Sequence, residues 1–332
     1  MRTYQKALAV TVALSFAVTA VYAEGSQDAA APKSVTMYIA GTSGASDTQS
    51  MGHFELEKRL EAASAGFFNV EVKIGAVMGE TDDVTEQARE GVPVLNATDP
   101  GRIASFVPEY GTIQMPYIFP DGTYLNKVMD TQLYKKWEKD FEAKGIKLVT
   151  SNCFSGARSW ITNKPIRTPA DLKGMKIRTI GSDLFVKSIN AMGAIATAVP
   201  WGETYQAIEQ RAVDGAEAQI PGIYAMRFYE IAKFVSLSEH FLLIGSMVTG
   251  TKFFYSLPIK YQTMLMTQAY ETYRDNQDVL KTKSAEFIKE MEGKGVTFVK
   301  IDKKPFVDAV QPVYAALGYT ELRKQLYAEM GL

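Results

Sequence analysis

Arg178 is the residue whose type and position most clearly indicate chemistry in this sequence. It lies near the carboxyl end of a predicted strand, residues 175–179, and shortly before a Gly-Ser-Asp helix start. In open α/β sheets, ligands collect outside the carboxyl ends of the strands. A guanidinium there offers a planar pair of donors that matches the two oxygens of a carboxylate. The sequence therefore predicts a site for an organic anion, with a surface arginine as the alternative.

Two further residues stand where a ligand site would need them. Arg158 follows the predicted strand 147–153 and comes two residues after Gly156. A glycine at such a place lets the backbone pass close to a ligand, although an interdomain salt bridge explains Arg158 equally well. Trp201 follows a proline at a predicted strand-to-helix turn. It either forms a pocket wall or seals a helix onto the sheet.

Composition excludes several classes of protein. The 332 residues carry 36 Lys+Arg and 37 Asp+Glu, a net charge of −1, so the basic excess of a nucleic-acid binder is missing. A mean hydropathy of −0.09 excludes a multi-span membrane protein. His53, His240 and Cys153 are the chain's full complement of histidine and cysteine. They provide little for a zinc site, a histidine-based triad or a disulfide, and we expect no metal and no cofactor. A secreted hydrolase using a carboxylate pair remains the enzymatic alternative.

The first 23 residues have the pattern of a secretory signal peptide. Arg2 and Lys6 precede an apolar run over residues 8–21, and small residues stand before a cleavage point after Ala23. A membrane anchor is the alternative, but the run is shorter than the ~20 residues of a spanning helix. Residues 24–33 have the composition of a flexible leader. We therefore expect an exported, soluble protein.

Apolar runs alternate with helical patterns along the rest of the chain. Strands are predicted at 35–40, 68–74 and 92–97, with helices at 47–63 and 82–89 between them. Between 168 and 219 the order is βαβαβ, which favours parallel pairing and an α/β class. Between Pro258 and Gly293 the sequence contains neither Gly nor Pro. One helix there would be roughly 50 Å long and would cross two lobes; a bend or break in its middle is the alternative.

Several stretches together resemble one protein family. The most specific is 168–178, TPADLKGMKIR, and the others in chain order are 78–91, QMPYIF at 114–119, GAR at 156–158, VDGAE at 213–217 and YEIAKF at 229–234. In this order they resemble the periplasmic solute-binding proteins of tripartite ATP-independent periplasmic (TRAP) transporters, the DctP-type family. The resemblance covers nearly all of the chain after the leader.

The resemblance implies a fold and a function. The fold is a two-lobed α/β periplasmic binding protein, type II-like, with a cleft between lobes and a long helix crossing both. Lobe I would comprise 34–155 plus about 245–282, and lobe II 156–244 plus about 283–332. The function would be periplasmic capture of a small organic acid and its delivery to the small and large subunits of a TRAP membrane permease, without enzymatic activity or nucleic acid. A monomer is the default, and a ligand-presenting sensory module is an alternative use of the same fold.

The resemblance also assigns roles to residues. It implies that Arg178 clamps the ligand carboxylate, that Arg158 supports it and that Trp201 walls the pocket. Further expected contacts are Asp99 and Arg102 from the first lobe, and Ala40 and Gly41 at the cleft edge. Many sugar-acid binders have Asn where this chain has Ala218. Gln219 follows and is kept as a candidate, although strand alternation would turn its side chain to the other side.

Overall fold

The computed structural model describes residues 33–332, and within this range nine strands form one mixed β-sheet. The strands are β1 (Val35–Ala40), β2 (Phe68–Lys73), β3 (Val94–Thr98), β4 (Ile146–Thr162), β5 (Lys176–Thr179), β6 (Ile195–Ala198), β7 (Gly215–Gln219), β8 (Phe234–Gly250) and β9 (Thr297–Val299). Their order is β2-β1-β3-β8-β4-β7-β5-β6, and β9 pairs with β8. The predicted signal peptide and residues 24–32 of the predicted leader lie outside the described residues.

Twelve α-helices accompany the sheet in the same part of the chain. They are α1 (Thr48–Ser64), α2 (Thr81–Glu90), α3 (Pro100–Ile103), α4 (Tyr124–Met129), α5 (Gln132–Ala143), α6 (Asp183–Ala191), α7 (Thr204–Glu209), α8 (Ile220–Ala225), α9 (Thr251–Ser256), α10 (Ile259–Gly293), α11 (Lys304–Ala316) and α12 (Thr320–Met330). Short 3-10 turns occupy Pro108–Gln114, Pro169–Leu172, Trp201–Glu203 and Phe228–Glu230.

The amino-terminal part of the sheet follows the sequence prediction closely. β1 pairs in parallel with β2 and β3. Asp47 caps α1 as predicted, because its Oδ1 accepts a hydrogen bond of 2.8 Å from the backbone N–H of Gln49. Gly91 ends α2 in the left-handed region, at φ +106°. Leu56 and Leu60 of α1 are fully buried in the core with β1 and β2. The apolar face predicted from Met51, Phe54 and Leu60 is wrong at Phe54, which is 39% exposed.

The predicted βαβαβ unit is also confirmed. β5 pairs in parallel with β6 and with β7. Thr168 and Asp171 form the capping pair that their spacing predicts, and it starts a single 3-10 turn, as expected from the nearby Gly174. Arg178 is the third residue of β5 and has Thr197 and Ala216 as its cross-strand neighbours. These pairings fix the arginine at the carboxyl end of a strand that has neighbours on both sides.

Two long central strands join the two ends of the sheet. β4 and β8 each span 17 residues and pair antiparallel along most of their length. The predicted strand 147–153 is only the first part of β4, and β8 was not predicted. Their pairing shifts register between Phe154 and Ala157, where Gly156 has a φ of +117°. Glu239 of β8 also has a positive φ, +46°, so both strands change direction where the halves of the sheet meet.

The predicted long helix is a single unbroken element. α10 has 35 residues, about 52 Å at 1.5 Å per residue. Leu265 and Tyr273 in its first half pack into the core with α1 and β1. Phe287 and Met291 in its second half pack into the core beneath β7 and α8. The helix therefore links the two ends of the molecule, and the alternative of a break is excluded.

The last two helices touch elements from several parts of the chain. α11 packs against α6 and β8, whereas α12 packs against α4 and the turn Pro108–Gln114. The large hydrophobic cluster that includes Phe306, Tyr314 and Leu326 also contains residues that precede β4 in the chain and residues that follow it. The carboxyl-terminal segment thus bridges regions that the sequence prediction assigns to different lobes, and the lobe limits stay a prediction.

Candidate functional site

A cavity lies where strand ends from both halves of the sheet approach each other. Its volume is about 80 Å³, several times the ~10–15 Å³ that one water molecule needs. The lining residues come from the loops after β1, β3 and β5, from the starts of α1 and α2, and from β4, β7 and β8. They are Thr42, Ser43, Gln49, Glu80, Thr81, Ala97, Thr98, Asp99, Arg102, Arg158, Arg178, Ile180, Trp201, Gln219, Leu243, Ile244 and Gly245.

Arg178 is buried in this wall, with 1% of its surface exposed. Its Nε donates to the backbone carbonyl of Val199 at 2.9 Å, and its guanidinium carbon lies 5.0 Å from the centre of the Trp201 ring. Nη1 is buried and has no hydrogen-bond partner among residues 33–332, and no carboxylate of that range lies within 4.0 Å. Burial first, and Arg158 second, lower the pKa of Arg178 to about 9. It is therefore a charged group at neutral pH that lacks a counter-ion.

Arg158 is equally buried but fully partnered. Its Nε and Nη2 both donate to the carboxylate of Glu217, the latter at 2.8 Å, and Nη2 also donates to the Glu217 carbonyl at 2.6 Å. Nη1 donates to Oε1 of Gln219 at 3.1 Å. Thr179 donates a further hydrogen bond of 2.8 Å to the same carboxylate. Glu217 thus neutralises Arg158. The pair joins neighbouring strands within the segment predicted as lobe II, so it is not the interdomain salt bridge considered for this arginine.

Strand register explains why these groups meet. Arg158 lies opposite Gln219, and Trp160 lies opposite Glu217, in the antiparallel pair β4–β7. Because side chains alternate along a strand, Glu217 and Gln219 share the face of Arg158. The expectation that Gln219 points away from the site is therefore wrong. Ala218 takes the other face instead, fully buried in the apolar cluster with Val213.

Asp99 and Arg102 form an ion pair on another wall. Asp99 caps α3, where Oδ1 accepts from the backbone N–H of Arg102 at 3.0 Å. Its Oδ2 lies 3.1 Å from Nε of Arg102, and Nη1 of Arg102 donates to Asp82 at 2.8 Å. Burial raises the pKa of Asp99, although Arg102 opposes that effect. Both residues line the cavity, as the resemblance implied.

The loop after β1 lines the cavity with residues slightly further along the chain than predicted. Ala40 is buried in a small cluster with Val84 and Val94, away from the lining residues. Gly41 packs against the His53 ring and does not line the cavity either. The following Thr42 and Ser43 do line it. Of the residues proposed from the sequence, six line the cavity, and Ala40 and Gly41 do not.

Sequence reasoning missed several lining residues. Gln49 donates to Ser155 at 3.2 Å, which ties the start of α1 to β4. Leu243 and Gly245 belong to β8, and their contribution was invisible as long as that strand was not predicted. Glu80 caps α2 and lies two residues before the predicted helix 82–89. It carried a usable signal, an acidic residue near a helix start.

Neither histidine is available for acid–base work in the cavity. His240 stacks on Trp160 with 4.1 Å between ring centres, and its Nδ1 pairs with Ser238 Oγ at 2.7 Å. Burial lowers its pKa well below the ordinary range. Burial also lowers the pKa of His53, to about 4. In the described part of the chain, no three His, Cys, Asp or Glu side chains are grouped to hold a metal ion, and no helix is long and apolar enough to cross a bilayer.

Comparison with known proteins identifies the family. Residues 39–321 match the family model DctP, bacterial extracellular solute-binding protein, family 7. A TRAP solute-binding protein from Ochrobacterium anthropi with bound L-fuconate has 31% identity and a TM-score of 0.86, covering 90% of this chain and 99% of that one. One from Pseudomonas putida F1 with bound D-glucuronate has 28% identity and a TM-score of 0.82, covering 89% and 97%.

A third structure provides a conformational comparison. The apo open form of a TRAP solute-binding protein from Escherichia fergusonii has 28% identity and a TM-score of 0.77, covering 88% of this chain and 99% of that one. The two-lobed α/β fold expected from the sequence is confirmed by these likenesses. Members of the family are periplasmic, bind small organic anions without turning them over, and work with TRAP permease components. The chain belongs to the family 7 bacterial extracellular solute-binding proteins, the solute receptors of TRAP transporters.

Proposed function

We propose that this protein captures a polyhydroxylated organic acid, of the sugar-acid type, and that Arg178 holds its carboxylate. One observation carries the proposal: the buried guanidinium of Arg178 faces a cavity and has no counter-ion among residues 33–332. Proteins rarely bury a charge unless it is paired. An anionic ligand would supply the missing partner, and the relatives with bound L-fuconate and D-glucuronate support this class of ligand.

The hydrogen bonds of Arg178 define how the carboxylate would approach. Nε is engaged with Val199, and the plane of the guanidinium is held beside the Trp201 ring. The two terminal nitrogens therefore remain for the ligand, which favours two parallel bonds to the carboxylate oxygens from the end of the side chain. Arg158, held by Glu217, would add a donor through Nη1 only by sharing or giving up its bond to Gln219.

The remaining walls suit the hydroxyl groups of the ligand. Glu80, Asp99 and Gln49 bring oxygen acceptors to the cavity, and Thr98 has a buried hydroxyl without a partner in the described chain. Hydroxyl groups both donate and accept, so they pair with such a wall better than an apolar acid would. A sugar acid combines the single anionic group and the row of hydroxyls that this arrangement calls for.

Capture would proceed by closure of the lobes, with lobe I at 34–155 plus about 245–282 and lobe II at 156–244 plus about 283–332. At equal identity, 28%, the likeness to the ligand-bound glucuronate binder exceeds that to the apo open protein, with TM-scores of 0.82 and 0.77. This supports a closed arrangement of the present structure. A ligand that contacts both lobes shifts the population toward closure.

We place the protein in the periplasm as a monomer, after cleavage of the signal peptide behind Ala23. It would hand the closed, loaded form to the small and large membrane subunits of a TRAP permease. Release of the ligand unchanged is part of this proposal, and recovery of the ligand by mass spectrometry after incubation tests it.

Calorimetry with matched pairs of ligands tests the function directly. L-Fuconate, L-galactonate and D-glucuronate should bind, whereas the neutral sugars L-fucose and D-glucose should not. At a hundredfold excess over Kd, an acid that binds stabilises the protein by about 2.7 kcal/mol, which raises Tm by about 5 °C. If no sugar acid raises Tm, or if fucose and fuconate act alike, the proposed function is wrong.

A further inference from the structure

We propose that the cleft is built for an acid with a single carboxylate, and that Asp99 excludes dicarboxylates by neutralising Arg102. The inference rests on the proposed function and adds the charge of the ligand to it. It follows from counting which of the cavity's charged groups already have partners in the described chain.

Three arginines line the cavity, and two of them are neutralised from within the protein. Arg158 is paired with Glu217, whose carboxylate is completely buried. Arg102 is paired with Asp99 at 3.1 Å and with Asp82 at 2.8 Å. Arg178 has no carboxylate within 4.0 Å among residues 33–332. Arg178 is thus the one arginine of the cavity without a carboxylate partner in the described chain, which matches one carboxylate on the ligand.

A second carboxylate on the ligand would meet unfavourable surroundings. The charged groups that line the cavity besides the three arginines are Glu80 and Asp99, both acidic. Two like charges brought together in a partly desolvated site repel strongly. Arg102 is the group that could offset this repulsion, but its Nε and Nη1 are already directed to Asp99 and Asp82.

Asp99 contributes more to this neutralisation than Asp82 does. The Asp99 side chain is 7% exposed, whereas that of Asp82 is 65% exposed and screened by solvent. The substitution Asp99→Asn removes the charge and retains the shape. Asn is also as good a helix cap as Asp, so the hydrogen bond to the backbone N–H of Arg102 and the start of α3 should persist.

The test uses acids that differ in one terminal group. L-Galactonate and galactarate, and gluconate and glucarate, have the same chain of hydroxyls, but the second member of each pair has a carboxylate in place of the terminal CH2OH. Isothermal titration of the wild type should give at least tenfold weaker binding of the dicarboxylate. In Asp99→Asn the affinity for the dicarboxylate relative to that for the monocarboxylate should rise tenfold or more.

Controls separate the inference from folding and from the proposed function. Asp308→Asn removes an exposed carboxylate that is paired with Lys304 and does not line the cavity, and it should leave both affinities unchanged. Glu80→Gln serves as a second variant, with the same direction of effect, in case Asp99→Asn does not fold. Equal binding of both acids by the wild type, or an unchanged ratio in folded variants, overturns the inference. Absence of binding by every sugar acid instead refutes the proposed function.

Discussion

Replacing Arg178 by Met gives the sharpest test of the clamp. Methionine retains an unbranched apolar stem beside Trp201 and removes the charge. The guanidinium offers two free nitrogens to a carboxylate, and each charge-assisted hydrogen bond contributes about 1.5–3 kcal/mol. The expected loss of binding free energy is therefore about 3–5 kcal/mol, or roughly a hundredfold to several thousandfold in Kd. A micromolar ligand would become a millimolar one in isothermal titration.

The same substitution should not weaken the free protein. The lowered pKa of Arg178, about 9, corresponds to a penalty of about 5 kcal/mol on its charged form. That penalty disappears in Arg178→Met, while one hydrogen bond to Val199 and the contact with the Trp201 ring are lost. Unfolding by urea without ligand should therefore show an unchanged or higher free energy of unfolding. Buried ion pairs replaced as a whole by apolar residues of similar volume often leave stability unchanged or raise it, and we expect the same of this arginine because it leaves no charged partner behind.

Two further variants complete the test. Arg178→Lys keeps the charge but supplies no planar pair of donors, so about a tenfold to hundredfold loss of affinity is expected. Arg323→Met removes an arginine that lies 4.3 Å from the Tyr314 ring outside the cavity, and should leave binding intact. Retained affinity in Arg178→Met, or a destabilised protein that still binds, would refute the reasoning.

Three other substitutions have defined outcomes. Trp201→Leu removes the ring beside the guanidinium, 5.0 Å away, and should weaken binding about 3- to 30-fold by titration, whereas Trp201→Phe should recover part of it. Burial lowers the pKa of His53 to about 4, so its contribution to stability is present above pH 6.5 and is lost as the pH falls toward 4. Between pH 7.5 and pH 5 the free energy of unfolding in urea should therefore fall by about 2 kcal/mol more in the wild type than in His53→Gln. Gly250→Ala would place a Cβ 1.8 Å from the Ala88 carbonyl oxygen and should lower the free energy of unfolding by about 3 kcal/mol or more, whereas Gly44→Ala, with open space around it, should change it by less than about 0.5 kcal/mol.

Local signals predicted the elements whose stability is local. The cap Asp47, the terminating Gly91 and the pair Thr168 and Asp171 all act within a few residues, and each one has the predicted conformation. The helix α10 was predictable for the same reason, because 34 consecutive residues before Gly293 lack a helix breaker. Parallel pairing of β5, β6 and β7 followed from the order of elements and the handedness rule.

The two central strands escaped prediction because their signals are not local. β4 and β8 have neighbours on both sides, so polar residues such as Asn152 and Ser246 are buried on them and satisfied by partners distant in sequence. The strands therefore lack the alternation of apolar and polar residues that marks a half-exposed strand. Gly156 and Glu239, with positive φ, interrupt the pattern further.

The candidate site shows the same division. Arg178 was predictable because a strand end and a helix start flank it in the sequence. Gln219 was misjudged because the partner that fixes its direction, Arg158, lies 61 residues away. The role of Glu217 depends on the β4–β7 register, which no short stretch of sequence contains.

The two arginines of the cavity have opposite environments, and that difference is what makes a binding site. Two nitrogens of Arg158 donate to Glu217, so its side chain is held in place and its charge is neutralised. Its third nitrogen positions Gln219. Arg178 is fixed by a neutral carbonyl and a π-face, which orient it without cancelling its charge. If Arg178 had the carboxylate partner and Arg158 did not, the net charge of the cavity would be the same, but Arg178 could no longer bind an anion. Affinity for an anion therefore arises because the fold buries Arg178 without a carboxylate partner from the described chain. The ligand's carboxylate supplies that partner and offsets the cost of burying the charge in the free protein.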